Sequence, residues 1–254
     1  MHQLNTLYKD IASTGNTDTR QLQHLYIAVR NKENRLYTDE ELLMLPKVNM
    51  HHVHWQEWQI RQRSCNRLLR HLKDMDKPLR ILEIGCGNGW LSNRLSEFDR
   101  ANITGLDINI TELNQARNVF GHKTNLHFLQ GDIRDGTLDK EKFDVVIFAA
   151  SIQYFSSISA IISKTVQLLN IDGEIHIMDS MFYSEPNVRN AKSRSDRYFN
   201  ELGFPEMSDH YFHHALSKLQ KFNYKILSRP ATGLKRMFAG KTPFYWVVIK
   251  TGHK

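Results

Sequence analysis

The stretch LRILEIGCGNGWLSNRL, Leu79 to Leu95, decides how the rest of the chain is read. A mostly apolar run, Leu79–Ile84, is followed by Gly85, Gly87 and Gly89, and an amphipathic run begins at Trp90. A short apolar run suits a strand buried on both faces. Glycines permit a tight turn and remove side chains, so backbone can touch a ligand. The spacing is not the G-x-G-x-x-G of dinucleotide sites, because Trp90 stands where the third glycine should be. A phosphate loop, G-x-x-x-x-G-K-[ST], is also absent. The pattern is E-x-G-x-G-x-G, with Glu83 at the strand's end. A carboxylate there is a poor neighbour for a pyrophosphate and a good one for an ammonium or sulfonium group.

Working outward, short apolar runs alternate with helical patterns. The runs are Leu79–Ile84, Ile103–Leu106, Leu126–Leu129, Val145–Ala150 and Ile175–Met178. Helices are predicted at Gly89–Phe98, Glu112–Phe120 and Phe155–Leu169. Such alternation implies a parallel sheet. Asp179 to Met207 reads as a polar stretch, followed by a helix from Ser208 to Phe222. Tyr224–Leu227 and Pro243–Ile249 form a closing antiparallel hairpin, with Gly233 and Gly240 in its connection. On the N-terminal side, residues 1–45 read as helices with a polar break at Ser13–Asp18. Thr38 and Glu41 form a capping box before Leu42, and Pro46 stops that helix. A further helix covers His54 to Lys73.

Bulk properties narrow the function classes. The 254 residues are 41% hydrophobic and 24% charged, as in an ordinary globular chain. No apolar run reaches the ~20 residues of a membrane-spanning helix, and the N-terminus has no signal-peptide pattern. Two cysteines, Cys65 and Cys86, exclude a disulfide framework and fit a reducing cytoplasm. The net charge is +7, with −3 over residues 79–178 and +7 over residues 179–254. The basic C-terminal third reads as attraction for an acidic partner or as a solvated lysine-rich surface.

On LEIGCGNGW the chain resembles the class I S-adenosylmethionine-dependent methyltransferases, and four further segments extend the resemblance over residues 76–254. NITGLDIN ends in Asp107, where the family holds the ribose hydroxyls, and Ile108 follows. LHFLQGDI ends in Asp132, beside the adenine amino group in the family, with Ile133 beside the ring. FDVVIFAASIQYF is like the fourth motif, so Ala149 faces the cofactor's methionine half. GEIHIMDS supplies the fifth strand. The resemblance implies an α/β, doubly wound, seven-stranded mostly parallel sheet with a helical N-terminal cap. Residues 1–75 would form the cap or lid and residues 76–254 the methyltransferase domain. It implies S-adenosylmethionine as cofactor, S-adenosylhomocysteine as product, and Glu83, Gly85, Cys86, Gly87, Asp107, Ile108, Asp132, Ile133, Ala149 and Arg61 as cofactor residues.

The acceptor is less legible. No proline follows the fourth strand until Pro186, so the D/N-P-P-Y motif of nucleobase methyltransferases is missing and a small-molecule acceptor is expected rather than nucleic acid. The family's small-molecule branch often has a histidine near Gln153, and this chain does not. Tyr154 and Tyr183 are the candidate substrate-contacting groups. Arg189, Lys192, Arg194 and Arg197 favour an anionic acceptor or are simple surface. Trp55, Trp58 and Arg61 share one helical side. They read as a lid whose Arg61 meets the cofactor carboxylate, or as two packed indoles beside a solvated arginine. His51, His52 and His54 lack short-spaced acidic or thiol partners, so no metal is expected, although they could line the pocket. His210 and His214 share a helix face in the same reading, again without metal. His176 reads as a core residue. Two other readings stay open: an RNA or protein methyltransferase, and a non-catalytic scaffold.

Overall fold

The computed structural model describes residues 17–231 and 242–251. The elements in order are α1 (Thr17–Lys32), α2 (Asp39–Met44), α3 (Trp55–Lys73), β1 (Leu79–Ile84), α4 (Trp90–Leu95), β2 (Ala101–Asp107), α5 (Ile110–Phe120) and β3 (Leu126–Gln130). They continue with β4 (Phe143–Ala149), α6 (Ile158–Val166), β5 (Leu169–Ser180), β6 (Phe182–Tyr183), α7 (Glu185–Leu202), β7 (His214–Ala215), β8 (Tyr224–Ser228) and β9 (Tyr245–Lys250). The polar break predicted at Ser13–Asp18 lies mostly outside the described residues, as do Gly233 and Gly240.

The main sheet has seven strands in the order β3-β2-β1-β4-β5-β9-β8. β1 to β5 are mutually parallel, and β9 runs antiparallel between β5 and β8. The chain moves outward from β1 to β3 and returns on the other side of β1 as β4. That reversal opens a crevice at the carboxyl ends of β1 and β4, where ligands of open α/β sheets bind. Successive residues of each strand feed opposite cores. Ile81, Val145, Ile147 and Val248 pack with Trp58, Leu68 and Leu72 of α3 and Leu91 and Leu95 of α4. Leu82, Val146, Phe148 and Val247 pack with Ile158, Ile161 and Ile162 of α6. Both faces are covered, which is why these strands read as continuous apolar runs.

The capping box forms as expected: Glu41 N donates to Thr38 Oγ1 at 3.2 Å, and Thr38 N donates to Glu41 Oε2 at 2.8 Å. The C-terminal half departs from the sequence reading. The expected polar stretch contains α7, an 18-residue helix with Pro186 in its first turn and left-handed Gly203 closing it. The expected helix from Ser208 to Phe222 is instead a 3-10 turn over Pro205–His210, strand β7, and a second 3-10 turn over Leu216–Leu219. Tertiary partners override the helical pattern there. β7 pairs with β6 in a separate two-stranded sheet, Phe182 opposite His214 and Tyr183 opposite Ala215. Phe212 N donates to Gln153 O at 2.7 Å. His210 and His214 therefore do not share a helix face. β5 also begins earlier than Ile175, at Leu169, and α6 is shorter than predicted.

His176 is fully buried in β5, as expected. It joins α3 and β9 through Glu174. His71 Nε2 lies 2.7 Å and His176 Nε2 3.1 Å from Glu174 Oε2, and Lys250 Nζ lies 2.7 Å from Oε1. Trp246 Nε1 donates to His176 Nδ1 at 3.1 Å, so Nε2 carries the ring proton and donates to the carboxylate. Burial alone would raise the Glu174 carboxyl, but the hydrogen bonds from His176, Lys250 and His71 hold it well below the usual range. His71, Glu174 and His176 have a metal-ligand composition. With the indole on Nδ1, His176 offers no free lone pair at Nε2, and the group works as an ionic clasp.

Candidate functional site

The glycine turn is built by left-handed backbone. Gly85 has φ 73°, and a Cβ there would stand 2.5 Å from the Ser151 Cβ. Ser151 is fixed because its hydroxyl donates to Ile84 O. Gly87 has φ 53°, and its Cβ would meet Glu112 Oε2 at 3.1 Å. Any other residue at either position costs strain and fills the space above the turn.

Three carboxyls, buried Glu83 and Glu112 and half-buried Asp107, flank this turn. Glu83 at the end of β1 is 2% exposed and accepts from Ser92 Oγ at 2.5 Å. Burial pushes its carboxyl up to about 8 against the pull of the Ser92 hydrogen bond. Asp107 at the end of β2 accepts from Gly87 N at 2.7 Å and Asn109 N at 2.8 Å, one donor on each oxygen. Each oxygen retains a lone pair for a hydroxyl. Burial raises the Asp107 carboxyl while these backbone donors lower it. Glu112 in α5 is raised to about 7, chiefly by burial and against the pull of Arg30. Its Oε2 is shielded and has no hydrogen-bond partner.

Two adjoining cavities hold the predicted residues. The larger, about 430 Å³, is lined by Glu83, Gly85, Cys86, Gly87, Ala149 and Arg61, together with Tyr154 and Tyr183. The smaller, about 140 Å³, is lined by Asp107, Ile108, Asp132 and Ile133. Gly85, Tyr26, Ala150, Tyr154 and Met207 border both. The ten residues expected to hold the cofactor, with Tyr154 and Tyr183, thus surround one region at the carboxyl ends of the strands. The Asp132 carboxylate is held by Arg134 through Nε at 2.8 Å and through a second, shorter contact from Nη2. Cys86 is 5% exposed, and burial drives its thiol well above the ordinary range, so it is a small buried spacer and not a thiolate nucleophile.

The N-terminal helices close the region. Trp58 packs edge-on against Trp90 at 5.3 Å and donates to the Tyr37 hydroxyl at 3.1 Å. Trp55, by contrast, is 37% exposed and outside the cavity. The expectation of two packed indoles thus holds for Trp58 alone. Arg61 lines the cavity, but its Nε donates to Glu57 at 2.9 Å, and Arg35 binds the same carboxylate. Their combined pull outweighs burial and holds Glu57 down at about 2. His51, His52 and His54 are not in the cavity wall. They organise the start of α3: His54 N donates to His52 Nδ1 at 3.0 Å, and His54 Nε2 lies 2.7 Å from Glu33 O.

Several lining residues escaped the sequence reading. Arg30 of α1 lines the cavity, and its Nε is shielded and without a hydrogen-bond partner. Its neighbours Ile27 and Val29 are buried, so an arginine beside apolar positions was the available signal. Glu112 sits in the first turn of a helix, where an acid also reads as a dipole partner. Tyr211 and His213 line the same cavity because the β6–β7 pair folds over it, and Arg194 of α7, one of the basic residues the sequence offered for an anionic acceptor, lines it too.

Residues 81–173 match the family described as "Methyltransferase domain". This segment is thus similar to a methyltransferase domain. The sheet order and the covering helices give it the Rossmann-like fold of the class I S-adenosylmethionine-dependent methyltransferases. Among relatives, a malonyl-[acyl-carrier protein] O-methyltransferase from Acetivibrio thermocellus is 35% identical over 45% of this chain and 40% of its own. One of the same description from Bacillus cereus is 25% identical over 68% of this chain and 74% of its own. The chain thus matches well under two thirds of the length of the first of these. The magnesium protoporphyrin IX methyltransferase from Synechocystis PCC 6803, solved with bound S-adenosylhomocysteine, superposes on the fold with a TM-score of 0.55 at 16% identity. That superposition covers 87% of this chain and 92% of the other. The parallel strands of this segment end at the two cavities described above.

Proposed function

We propose that the protein transfers a methyl group from S-adenosylmethionine to a small-molecule acceptor in the larger cavity. The observation that carries this reading is the pair of carboxyls, buried Glu83 and half-buried Asp107, on adjoining parallel strands around a turn that a Cβ would fill. Glu83 has a single hydroxyl donor and a raised carboxyl. An ammonium beside it supplies the missing charge.

In this assignment Glu83, Gly85, Cys86, Gly87 and Ala149 surround the methionine half. Asp107 takes the ribose hydroxyls, and Ile108, Asp132 and Ile133 bound the adenine slot. Arg30 is better suited than Arg61 to the methionine carboxylate, because Arg61 already serves Glu57. When bound, the cofactor supplies an activated methyl whose bond to sulfur breaks with both electrons left on sulfur. The protein aligns the acceptor and keeps water out. Residues 1–75 act as a cap, supported by the place of Tyr26, Arg30 and Trp58 in the cavity wall. A cavity of about 430 Å³ suits a small molecule better than nucleic acid, and Arg194 in its wall favours an anionic one. The two buried free cysteines fit a reducing cytoplasm. The relatives are named for malonyl-[acyl-carrier protein] and magnesium protoporphyrin IX, so kinship alone selects no single acceptor.

Calorimetric titration with S-adenosylmethionine, S-adenosylhomocysteine and NADH tests the reading. Binding of both sulfur ligands with none of NADH supports it. Binding of NADH in their place, or of none of the three, sinks it.

A further inference from the structure

The larger cavity has a side, toward α7, that none of the assigned cofactor residues occupies. Tyr183, Arg194, Tyr211 and His213 stand there. Resting on the methyl-transfer reading above, we propose that this side is the acceptor subsite, that it takes a planar acceptor bearing an acidic hydroxyl, a phenol or an enol, and that His213 receives the hydroxyl proton.

The His213 ring lines the cavity, while its Nε2 is shielded from bulk water and has no hydrogen-bond partner. A buried imidazole nitrogen left unpaired is uncommon enough to call for an explanation. The ring is held edge-on between Tyr183 and Tyr211, each with its centroid 5.4 Å away. Tyr211 stands edge-on to Tyr154 at 5.8 Å. Tyr154 borders both cavities, so one aromatic wall runs from the cofactor region to His213. Flat acceptors fit such walls through ring contacts. The β6–β7 pairing and the bond from Phe212 N to Gln153 O fix the segment carrying His213. The histidine absent near Gln153 in the sequence thereby comes from a distant part of the chain.

The surroundings of His213 keep its ring uncharged until a proton is delivered. Burial holds the imidazole below its usual range. Lys192, Arg194 and His214 act in the same direction, and Asp196 opposes them. Neutral at pH 7, the ring can accept a proton. A carboxylic acceptor arrives deprotonated and has no use for such a base, whereas a phenol or enol has. Burial raises the Tyr183 hydroxyl and Arg194 stands close enough to oppose that rise, and it supplies a cation for the developing oxyanion. In the step, the acceptor O–H bond breaks and its proton goes to His213 Nε2. The oxygen electron pair forms the O–CH3 bond, and the electrons of the broken C–S bond stay on sulfur.

The test uses 4-nitrophenol, whose absorbance reports its own ionisation, titrated into protein saturated with S-adenosylhomocysteine. 4-Nitrobenzoate serves as an anion that needs no base. The expected result is binding of nitrophenol in its ionised form below its free pKa. His213→Gln, and His213→Asn as a second variant, should lose that ionisation and bind nitrophenol at least tenfold more weakly. Their affinity for S-adenosylhomocysteine should be unchanged, which also reports that they fold, and nitrobenzoate should be weakened far less than nitrophenol. Arg194→Gln should weaken both nitro ligands. Unchanged nitrophenol affinity and ionisation in the His213 variants would overturn the proposal. So would absence of nitrophenol binding to wild-type protein that binds S-adenosylhomocysteine. Failure of the wild type to bind S-adenosylhomocysteine overturns the methyl-transfer reading itself, and the calorimetry reports that separately.

Discussion

Glu83 ties ligand binding to stability at a single side chain. Its carboxyl titrates near 4.3 in the unfolded chain and near 8 in the folded one. The folded state therefore holds the extra proton between those values, and stability falls as pH rises through that window. Glu83→Gln removes the penalty and keeps an acceptor for Ser92. At pH 8 the variant should be at least ~1 kcal/mol more stable, a rise in Tm of roughly 2–4 °C for a chain of this size. The difference should disappear near pH 4. Its affinity for S-adenosylmethionine should nonetheless fall at least tenfold, because the neutral amide does not answer an ammonium. A melting series over pH 4–8 and a titration at pH 7 check both halves. Asp107 and Gly87 make a second pair. Asp107→Ala removes both the expected ribose partner and the acceptor for Gly87 N, and should weaken S-adenosylhomocysteine binding by roughly 10- to 100-fold, about 1.4–2.8 kcal/mol. Gly87→Val, at φ 53° and 3.1 Å from Glu112, should abolish it. Wild-type affinity in either variant would remove that residue from the site.

At the level of elements, the parallel strands were legible because burial on both faces leaves unbroken apolar runs. Each of the predicted strands β1 to β4 lies within about two residues of its place. The α2 cap was legible because Thr38 and Glu41 satisfy each other locally, without tertiary help. Thr38→Ala should cost about 1 kcal/mol, read as a lower urea midpoint with unchanged slope. α7 was missed because Ala191 and Phe199 are its only buried residues, so its apolar stripe is thin. Pro186 near its start and Gly203 after its end were the overlooked signal. The expected helix after Ser208 failed for the opposite reason. Its helical pattern is outweighed by pairing with β6, a partner that local sequence does not reveal. The strand-end residues that line the cavities were therefore readable, and Arg194 was legible as one of a basic group, while Tyr211 and His213 were not. Those two reach the cavity only through the misread segment after Ser208.

At the scale of the molecule, the site is a joint between the sheet and its N-terminal helices. α1 contributes Tyr26 to both cavities and Arg30 to the larger. α3 contributes Trp58 and Arg61, and is bound to the far side of the sheet through His71 and Glu174. Among the described residues no helix is long and apolar enough to cross a membrane. If residues 17–75 close over the cofactor, S-adenosylhomocysteine should slow backbone hydrogen exchange in α1 and in the Glu83–Trp90 turn together. β8, on the far edge of the sheet, should exchange as before. Protection of the turn without α1 would remove the cap from the account.

The most direct measurement is a crystal structure of the protein with S-adenosylhomocysteine. The account predicts ribose hydroxyls within hydrogen-bonding distance of the Asp107 carboxylate, adenine in the smaller cavity beside Ile108 and Ile133, and the methionine amine facing Glu83. Adenine outside that cavity, or a ribose distant from Asp107, would contradict it.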